Sequence, residues 1–189
     1  MIESYSDYLV YLESDRVSLG RTKSLRSLIF DDVWKFQRLL RKYEFLSNCK
    51  KNPVLKFVTS IRLRRLESKL GFSIPPNVFG PGLAIAHAGT IVVNPNTSVG
   101  ANCRIHVCVN IGTQAGKGDQ APTIGDNCYI GPGAKLFGAI KLGDNIAIGA
   151  NAVVNKSFSK GNITIGGIPA KEISQKSSEG LFVKGFHTE

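Results

Sequence analysis

Residues 124–159 read IGDNCY IGPGAK LFGAIK LGDNIA IGANAV VNKSFS, and an aliphatic residue opens each of these six hexapeptides. The fifth residue of each hexapeptide is also small or apolar. A period of six fits neither an α-helix nor an alternating strand, but it is typical of a parallel coil whose short strands alternate with tight corners. The predicted interior residues are Ile124, Ile130, Leu136, Leu142, Ile148 and Val154, together with Cys128, Ala134, Ile140, Ile146, Ala152 and Phe158.

The same period extends upstream of this stretch. Its interior positions there are Val93, Val99, Ile105 and Ile111, with Thr97, Cys103 and Val109 as the second series. Glycines directly after the aliphatic residues, and asparagines near them, suit corners where a Cβ atom would strain the backbone. This regularity favours a mainly β coil over a generic glycine-rich β sandwich.

One segment interrupts the period. The step from Ile111 to Ile124 is thirteen positions (124 minus 111), one more than two hexapeptides. The intervening residues 112–123, GTQAGKGDQAPT, are polar and rich in glycine, so they cannot bury much surface. We expect a loop that leaves the coil and covers a site or meets a neighbouring subunit.

The N-terminal residues 1–71 are predicted to form a helical domain. Apolar residues recur at spacings of three and four from Val33 to Leu46, and Asp31 and Asp32 suit the start of that helix. A second helix is predicted after Pro53, with Gly71 as its stop. The predicted division is therefore 1–71 helical, 72–173 coil and 174–189 C-terminal tail.

The positive charge is concentrated in this N-terminal segment. The chain has 24 Lys and Arg against 14 Asp and Glu. Residues 1–70 hold fifteen of these cations and eight of the acids, a surplus of seven. This distribution is compatible with a solvated helical face or with peripheral contact to an anionic surface. We predict no nucleic-acid partner.

The composition gives two further expectations. No run of about 18 apolar residues is present, and the N-terminus MIESYSDYLV carries acids where a secretory signal carries basic residues, which favours the cytoplasm. The cysteines Cys49, Cys103, Cys108 and Cys128 form no CxxC pair. We expect them to be buried free thiols.

Residues 72–173 resemble the hexapeptide-repeat acyltransferases, within them the serine O-acetyltransferase branch and, more closely, its relatives from polysaccharide and capsule gene clusters. The stretches that carry the resemblance are IPPNVFGPGLAIAHAGTIVV, NIGTQAG, TIGDNCYIGPGAKLFGAIKLGDNIAIGANAVV and GGIPAK. The resemblance implies a left-handed parallel β-helix, a homotrimer with active sites between subunits, and acetyl-CoA bound along the groove between coils.

The resemblance places the catalytic base at His87, in the segment GLAIAHAGT. A neutral imidazole can accept the proton that an alcohol loses as it attacks a thioester. His106, which the repeat turns outward at a corner, and His187, in the polar tail, are weaker candidates. A structural role without catalysis is the alternative for all three histidines.

The resemblance also indicates where the cofactor binds. Small residues would let the backbone approach the pantetheine amides, and Lys side chains would meet the CoA phosphates. The backbone near Gly112 is a candidate for stabilising the thioester oxyanion. The implied cofactor-binding residues are Gly112, Thr113, Gly133, Ala134, Ala152, Lys156 and Lys171.

Four positions depart from the serine enzymes. Ala86 replaces the acid before the base, Gln120 and Ala121 replace an Arg-His pair before Pro122, and Phe72 stands where an upstream acid is expected. Because a serine carboxylate without its arginine would be poorly held, a sugar hydroxyl is the expected acceptor. Serine O-acetyl transfer is the alternative.

Two other classes of function are alternatives to acyl transfer. A zinc hydratase on the same coil needs three histidine ligands, and His187 would have to reach back to His87 and His106. A non-catalytic coil would show arrays of repeated surface residues, which the sequence lacks. We therefore predict an acetyl-CoA-dependent O-acetyltransferase with no metal site.

Overall fold

The computed structural model describes residues 1–187 and shows four helices followed by a coil of short strands. The helices are α1 (Tyr5–Ser18), α2 (Leu25–Phe30), α3 (Asp32–Asn48) and α4 (Pro53–Leu70). The strands are β1 (Phe72–Ser73), β2 (Ala84–Ile85), β3 (Ile91–Val93), β4 (Ser98–Val99), β5 (Arg104–Ile105), β6 (Val109–Gly112), β7 (Thr123–Ile124), β8 (Tyr129–Ile130), β9 (Lys135–Phe137), β10 (Lys141–Leu142), β11 (Ala147–Ile148), β12 (Val153–Val154), β13 (Thr164–Gly166) and β14 (Lys171–Ser174).

The two predicted helices are present as α3 and α4, and local capping sets their ends. The Asp31 carboxylate accepts a hydrogen bond from the Trp34 amide at 2.9 Å and caps α3. Pro53 occupies the first turn of α4, and Gly71 ends it in the left-handed region at φ 75°. Helices α1 and α2 were not predicted. The buried residues of α1 are the polar Ser14, Asp15 and Ser18, so no apolar stripe marks it.

The coil is a left-handed parallel β-helix with three sheets as its faces. One face stacks β1, β3, β6, β9 and β12, the second stacks β4, β7 and β10, and the third runs from β2 through β5, β8, β11 and β13 to β14. Ile91 pairs with Val109, which sets one turn at eighteen residues (109 minus 91), or three hexapeptides. Only β14 pairs antiparallel among the described strands.

The predicted interior positions form stacked ladders of apolar side chains. Ile111 pairs with Leu136 and Leu136 with Val154, so each aliphatic side chain rests on its equivalent one coil away. All ten first-position residues from Val93 to Val154 are buried. Asn102, Asn127, Asn145 and Asn151 all take positive φ at the corners, as their short polar side chains allow.

The interruption between β6 and β7 leaves the coil as an exposed loop. Its residues 114–120 are solvent-exposed, and the Asn96 side-chain amide donates a hydrogen bond to the Asp119 carbonyl at 3.1 Å. The interior ladder is unbroken across the loop, because Val99 still pairs with Ile124.

A fully buried arginine joins the helices to the first coil. The Arg41 guanidinium donates hydrogen bonds to Asp15 at 2.8 and 3.2 Å and to Glu44 at 3.0 Å. Asp15 also accepts hydrogen bonds from the amides of Gly82 and Leu83, at 2.9 and 2.8 Å. Arg41 further donates to the carbonyl oxygens of Phe79 and Gly80. This network fixes α1 and α3 against the start of the coil.

Burial of the cysteines is only partly as expected. Cys103 and Cys128 lie in the interior, and burial raises the pKa of Cys128 to about 12 and that of Cys103 well above its usual range. Cys49 is half-buried. The prediction of burial is wrong for Cys108, which is exposed at a corner with φ 62°.

Within residues 1–187, no helix is long and apolar enough to cross a membrane.

Replacement of Arg41 should test the junction between helices and coil. We expect Arg41→Ala to lower the free energy of unfolding by about 3–5 kcal/mol, because two carboxylates then stay buried without their cation. Urea unfolding followed by Trp34 fluorescence measures this. The exposed Arg65→Ala on α4 should change stability by less than about 0.5 kcal/mol. Equal losses in both variants would contradict the assignment.

Thiol labelling should separate the four cysteines. Iodoacetamide at pH 8 is expected to modify Cys108 first, since the thiolate is the reactive form and this side chain is exposed. Cys103 and Cys128 should react only after denaturation, because their thiols are buried and remain protonated. Peptide mass spectrometry reads the order, and early modification of Cys103 would contradict the interior placement.

Candidate active site

His87 lies on the exposed turn between β2 and β3, and hydrogen bonds to β5 of the next coil and to the end of α4 hold that turn from both sides. The Ala86 amide donates to the Ile105 carbonyl at 3.0 Å, and the Gly89 amide donates to the Leu70 carbonyl at 3.0 Å. Gly89 adopts φ 144°, and a Cβ there would lie 3.0 Å from the Val107 side chain. The base candidate therefore sits on a tightly anchored turn with its ring open to solvent.

His106 lies beside His87, which the sequence did not predict. Their ring centroids are 6.3 Å apart, and the His106 ring lies 4.9 Å from the Tyr129 ring. Ala84 pairs with Arg104 and Ile85 with Ile105, so the two histidines follow paired strands on adjacent coils. Residues one coil apart stack on each other, so the spacing of the two histidines could have indicated that they are neighbours. A regular coil has eighteen residues, however, and the coil from Ala84 to Arg104 has twenty (104 minus 84).

The surroundings of His106 keep its imidazole neutral. Burial lowers the pKa of His106, and the nearby charges of Arg104 and His87 lower it further. The Arg104 Nε lies 3.4 Å from the His106 Nε2. The lowered pKa favours the neutral imidazole, in which Nε2 accepts the hydrogen bond from Arg104 and Nδ1 carries the proton.

Within residues 1–187, no hydrogen bond joins the His87 ring to another side chain. No side chain of this chain therefore orients the ring through a hydrogen bond. The side-chain oxygen of Asn94 is already engaged, because it accepts a hydrogen bond from the Asn96 amide at 2.9 Å.

The predicted cofactor residues lie around the face formed by β6, β9 and β12. Gly112 ends β6 and pairs with Phe137, and Thr113 follows it. Gly133 lies at the opposite edge of this face, in the turn before β9, at φ 76°. A Cβ on Gly133 would lie 2.0 Å from the Asn151 side-chain oxygen, so glycine suits both this positive φ and the close approach of Asn151.

Ala134 and Ala152 belong to the interior. Both side chains are fully buried, and their carbonyls accept hydrogen bonds from Asn110 and Lys135 of neighbouring strands. Their side chains therefore cannot touch a ligand, which limits any cofactor contact by these residues to the adjoining backbone.

Lys156 and Lys171 both lie at the C-terminal end of the coil. Lys156 follows β12, and its Nζ lies 5.3 Å above the Phe158 ring. Lys171 opens β14 next to Ala170, whose amide donates to the Val153 carbonyl of β12 at 2.8 Å. Both lysines are exposed, Lys156 after β12 and Lys171 on β14 of the third face.

A cavity of about 740 Å³ lies between the helical segment and the His87 turn. Arg21 and Arg26 contribute cations to its wall, Asp31 and Asp32 contribute carboxylates, and Ala88 comes from the His87 turn. We call this space the N-terminal cavity. Sequence reasoning missed it, because α2 and the linker before it carry no recognisable motif.

Comparison with known proteins identifies the family. The model for the bacterial transferase hexapeptide (six repeats) matches residues 121–156. The serine acetyltransferase of Helicobacter pylori is 32% identical over 127 residues, which cover 67% of this chain and 68% of that protein. The chain belongs to the serine acetyltransferase family. Its predicted acetyltransferase class is thereby confirmed.

Solved structures of the family share the fold described here. The serine acetyltransferase of Brucella abortus in complex with coenzyme A has a TM-score of 0.72 and 25% identity, covering 91% of this chain and 68% of that one. The serine acetyltransferase of Neisseria gonorrhoeae in complex with serine has a TM-score of 0.72 and 25% identity, covering 90% and 71%.

The predicted acceptor is corrected by these findings. A sugar hydroxyl, and a closest kinship with polysaccharide-cluster enzymes, were wrong, because the relatives are serine acetyltransferases. The error came from treating four replaced positions as a lost acceptor site. One of them, Phe72, is a buried core residue that packs edge-on against Phe36 with ring centroids 5.0 Å apart.

The arrangement expected of a zinc hydratase is not found in the described part of the chain. No group of three or more His, Cys, Asp or Glu side chains within residues 1–187 could hold a metal ion. His187 lines a separate cavity with Asn102 and Asp126.

The environment of His106 gives a measurable titration. We expect its NMR midpoint to lie below the ordinary value of 6.5, and Arg104→Gln to raise that midpoint by removing a cation. Since burial is the largest cause, the variant's midpoint should stay below 6.5. The distant Arg65→Gln serves as control. A midpoint that Arg104→Gln leaves unmoved would contradict the placement of Arg104 beside the ring.

Proposed function

We propose that the protein is an O-acetyltransferase that moves the acetyl group of acetyl-CoA to the hydroxyl of serine. Family membership carries this proposal, through the 32% identity to a serine acetyltransferase over two thirds of both chains. Related structures that hold coenzyme A and serine support the two substrates. The left-handed coil and the exposed His87 are compatible with direct transfer.

In the proposed reaction His87 acts as the general base. The neutral imidazole takes the proton of the serine hydroxyl as its oxygen attacks the thioester carbon. The tetrahedral intermediate then expels the CoA thiolate, which recovers the proton from the imidazolium. The products are O-acetylserine and CoA, and no covalent bond to the enzyme forms. A backbone amide in the stretch from Gly112 would stabilise the oxyanion.

His106 and Tyr129 extend the proposed site on the surface beside His87. The His106 ring lies 6.3 Å from the His87 ring, centroid to centroid, so it borders the base. Sequence reasoning ranked His106 far below His87. In the proposed reaction it is a positioning residue, because its lowered pKa and its place on the adjacent coil favour support of the base over a separate function.

We further propose that acetyl-CoA binds along the face of β6, β9 and β12 and that the enzyme is a homotrimer with active sites between subunits. The small residues Gly112, Thr113 and Gly133 leave the backbone accessible to the pantetheine arm. Lys156 and Lys171 place two cations where the CoA phosphates would end. The buried Ala134 and Ala152 would contribute only through neighbouring backbone.

Release of CoA thiol tests the proposed reaction. With serine and acetyl-CoA, we expect His87→Ala to reduce kcat by about 10²- to 10⁴-fold, the usual contribution of a general base. The Michaelis constant for acetyl-CoA should change little. His187→Ala, in the tail, should keep native activity. Absence of serine-dependent thiol release from the native chain would overturn the function, and native kcat in His87→Ala would overturn the base.

A further inference from the structure

A second cavity lies within the helical segment, between all four helices. It has a volume of about 560 Å³, and α1, α2, α3 and α4 each contribute residues to its wall. All of the described residues that line it are helical, so it is separate from the His87 turn and from the proposed cofactor face. This volume falls within the usual range for a small organic ligand. We call this space the four-helix cavity.

Four cations contribute to the wall of the four-helix cavity. Lys35, Arg38 and Lys42 come from α3, and Arg62 comes from α4. Spacings of three and four residues place the first three on one face of α3. Within residues 1–187, no Asp or Glu lines the cavity. The wall therefore carries a positive potential that attracts anions.

The protein itself neutralises little of this charge. Lys35 pairs with Asp32 at 3.3 Å, and an ion pair open to solvent is weak. The side chains of Lys42 and Arg62 have no ion pair or hydrogen bond within the described part of the chain. Arg38 and Lys42 lie one helical turn apart, where like charges repel. A bound anion would remove this repulsion.

The Arg38 guanidinium keeps donors that the protein does not use. One of its amino groups donates to the Leu28 carbonyl, whereas its Nε is buried without a partner among residues 1–187. The Arg38 Cζ lies 5.6 Å from the centre of the Trp34 ring. Burial lowers the pKa of Arg38, and the neighbouring charge of Arg62 lowers it further. An anion at this wall would offset both effects, because its charge favours the guanidinium cation.

The rest of the wall is apolar or aromatic. Ile29 is 53% exposed, so the protein leaves part of this surface uncovered. A small inorganic ion would not cover it, whereas an apolar group attached to the anion would remove it from water. The residues of this part of the wall are Tyr8, Leu12, Leu28, Ile29 and Leu39.

We propose that the four-helix cavity binds a phosphate group carried on an apolar body. The phosphate oxygens accept hydrogen bonds from Arg38, Lys42 and Arg62, and the apolar body lies against α1 and α2. A phosphate suits this wall because several oxygens and up to two negative charges can meet several cations at once. A soluble organic phosphomonoester and the headgroup of an anionic phospholipid share this chemistry. The site does not depend on the identity of the acetyl acceptor.

Calorimetric titration of the full chain with phenyl phosphate and with inorganic phosphate tests the soluble source. We expect phenyl phosphate to bind about 10-fold more tightly than inorganic phosphate, because its ring is buried against the apolar wall. Arg62→Gln and Lys42→Gln should each raise the Kd for phenyl phosphate by about 10-fold or more, the usual worth of a hydrogen bond between charged groups.

Arg65→Gln is the matched control, since Arg65 is also exposed on α4 but lies outside the cavity wall. It should keep the native Kd. Arg62→Gln and Lys42→Gln should both keep the native kcat for thiol release, because neither residue belongs to the coil. Equal affinity for phenyl phosphate and inorganic phosphate would overturn the role of the apolar wall.

Sedimentation with vesicles separates the two sources of the phosphate. Binding of the native chain, but not of Arg62→Gln, to phosphatidylglycerol vesicles and not to phosphatidylcholine vesicles would identify the lipid headgroup. Binding of phenyl phosphate without binding of vesicles would identify a soluble ligand. The proposal is overturned if the native chain binds neither probe, or if both cavity variants bind them as the native chain does.

Discussion

The structure depends on the stacking of one interior ladder of aliphatic side chains. Each coil contributes residues such as Ile105, Ile130 and Ile148, which pair in register from strand to strand. Because every strand is short, a single strand has little stability alone. Burial of its side chains against the neighbouring coils stabilises it. The loop of residues 112–123 can leave the coil because the ladder closes beneath it.

The active-site surface is built where this ladder begins. The buried Arg41 and its acids fix α1 and α3 to the first coil, and Gln37 adds hydrogen bonds to Leu83 and Ile85 directly before the His87 turn. The helical segment therefore helps to form the site as well as to cover the end of the coil. Removing one partner from this network would leave a buried charge without its counter-charge. Each member is therefore needed to hold the helices against the first coil.

The acceptor shows how far residue-by-residue comparison can mislead. Ala86, Gln120 and Ala121 predicted that serine would be poorly held and that a sugar would be the acceptor, and the serine acetyltransferase relatives contradict the sugar acceptor. The absence of an arginine from the loop of residues 112–123 does not exclude cations that other elements bring to the surface around His87. The charged residues of α2 and its flanks lie far from the motifs in sequence, and only the folded chain brings them to the His87 turn.

The sequence by itself determined the coil, its interior residues, the bounds of α3 and α4, and His87 as the base candidate. These features follow from local rules, since a period of six, a capping Asp31 and a terminal Gly71 act on neighbouring residues. Only the tertiary structure decided the polar packing of α1, the exposure of Cys108, the pairing of His106 with His87 and the N-terminal cavity. Those features arise from contacts between distant segments, and uneven coil lengths, such as twenty residues from Ala84 to Arg104, hide them from spacing alone.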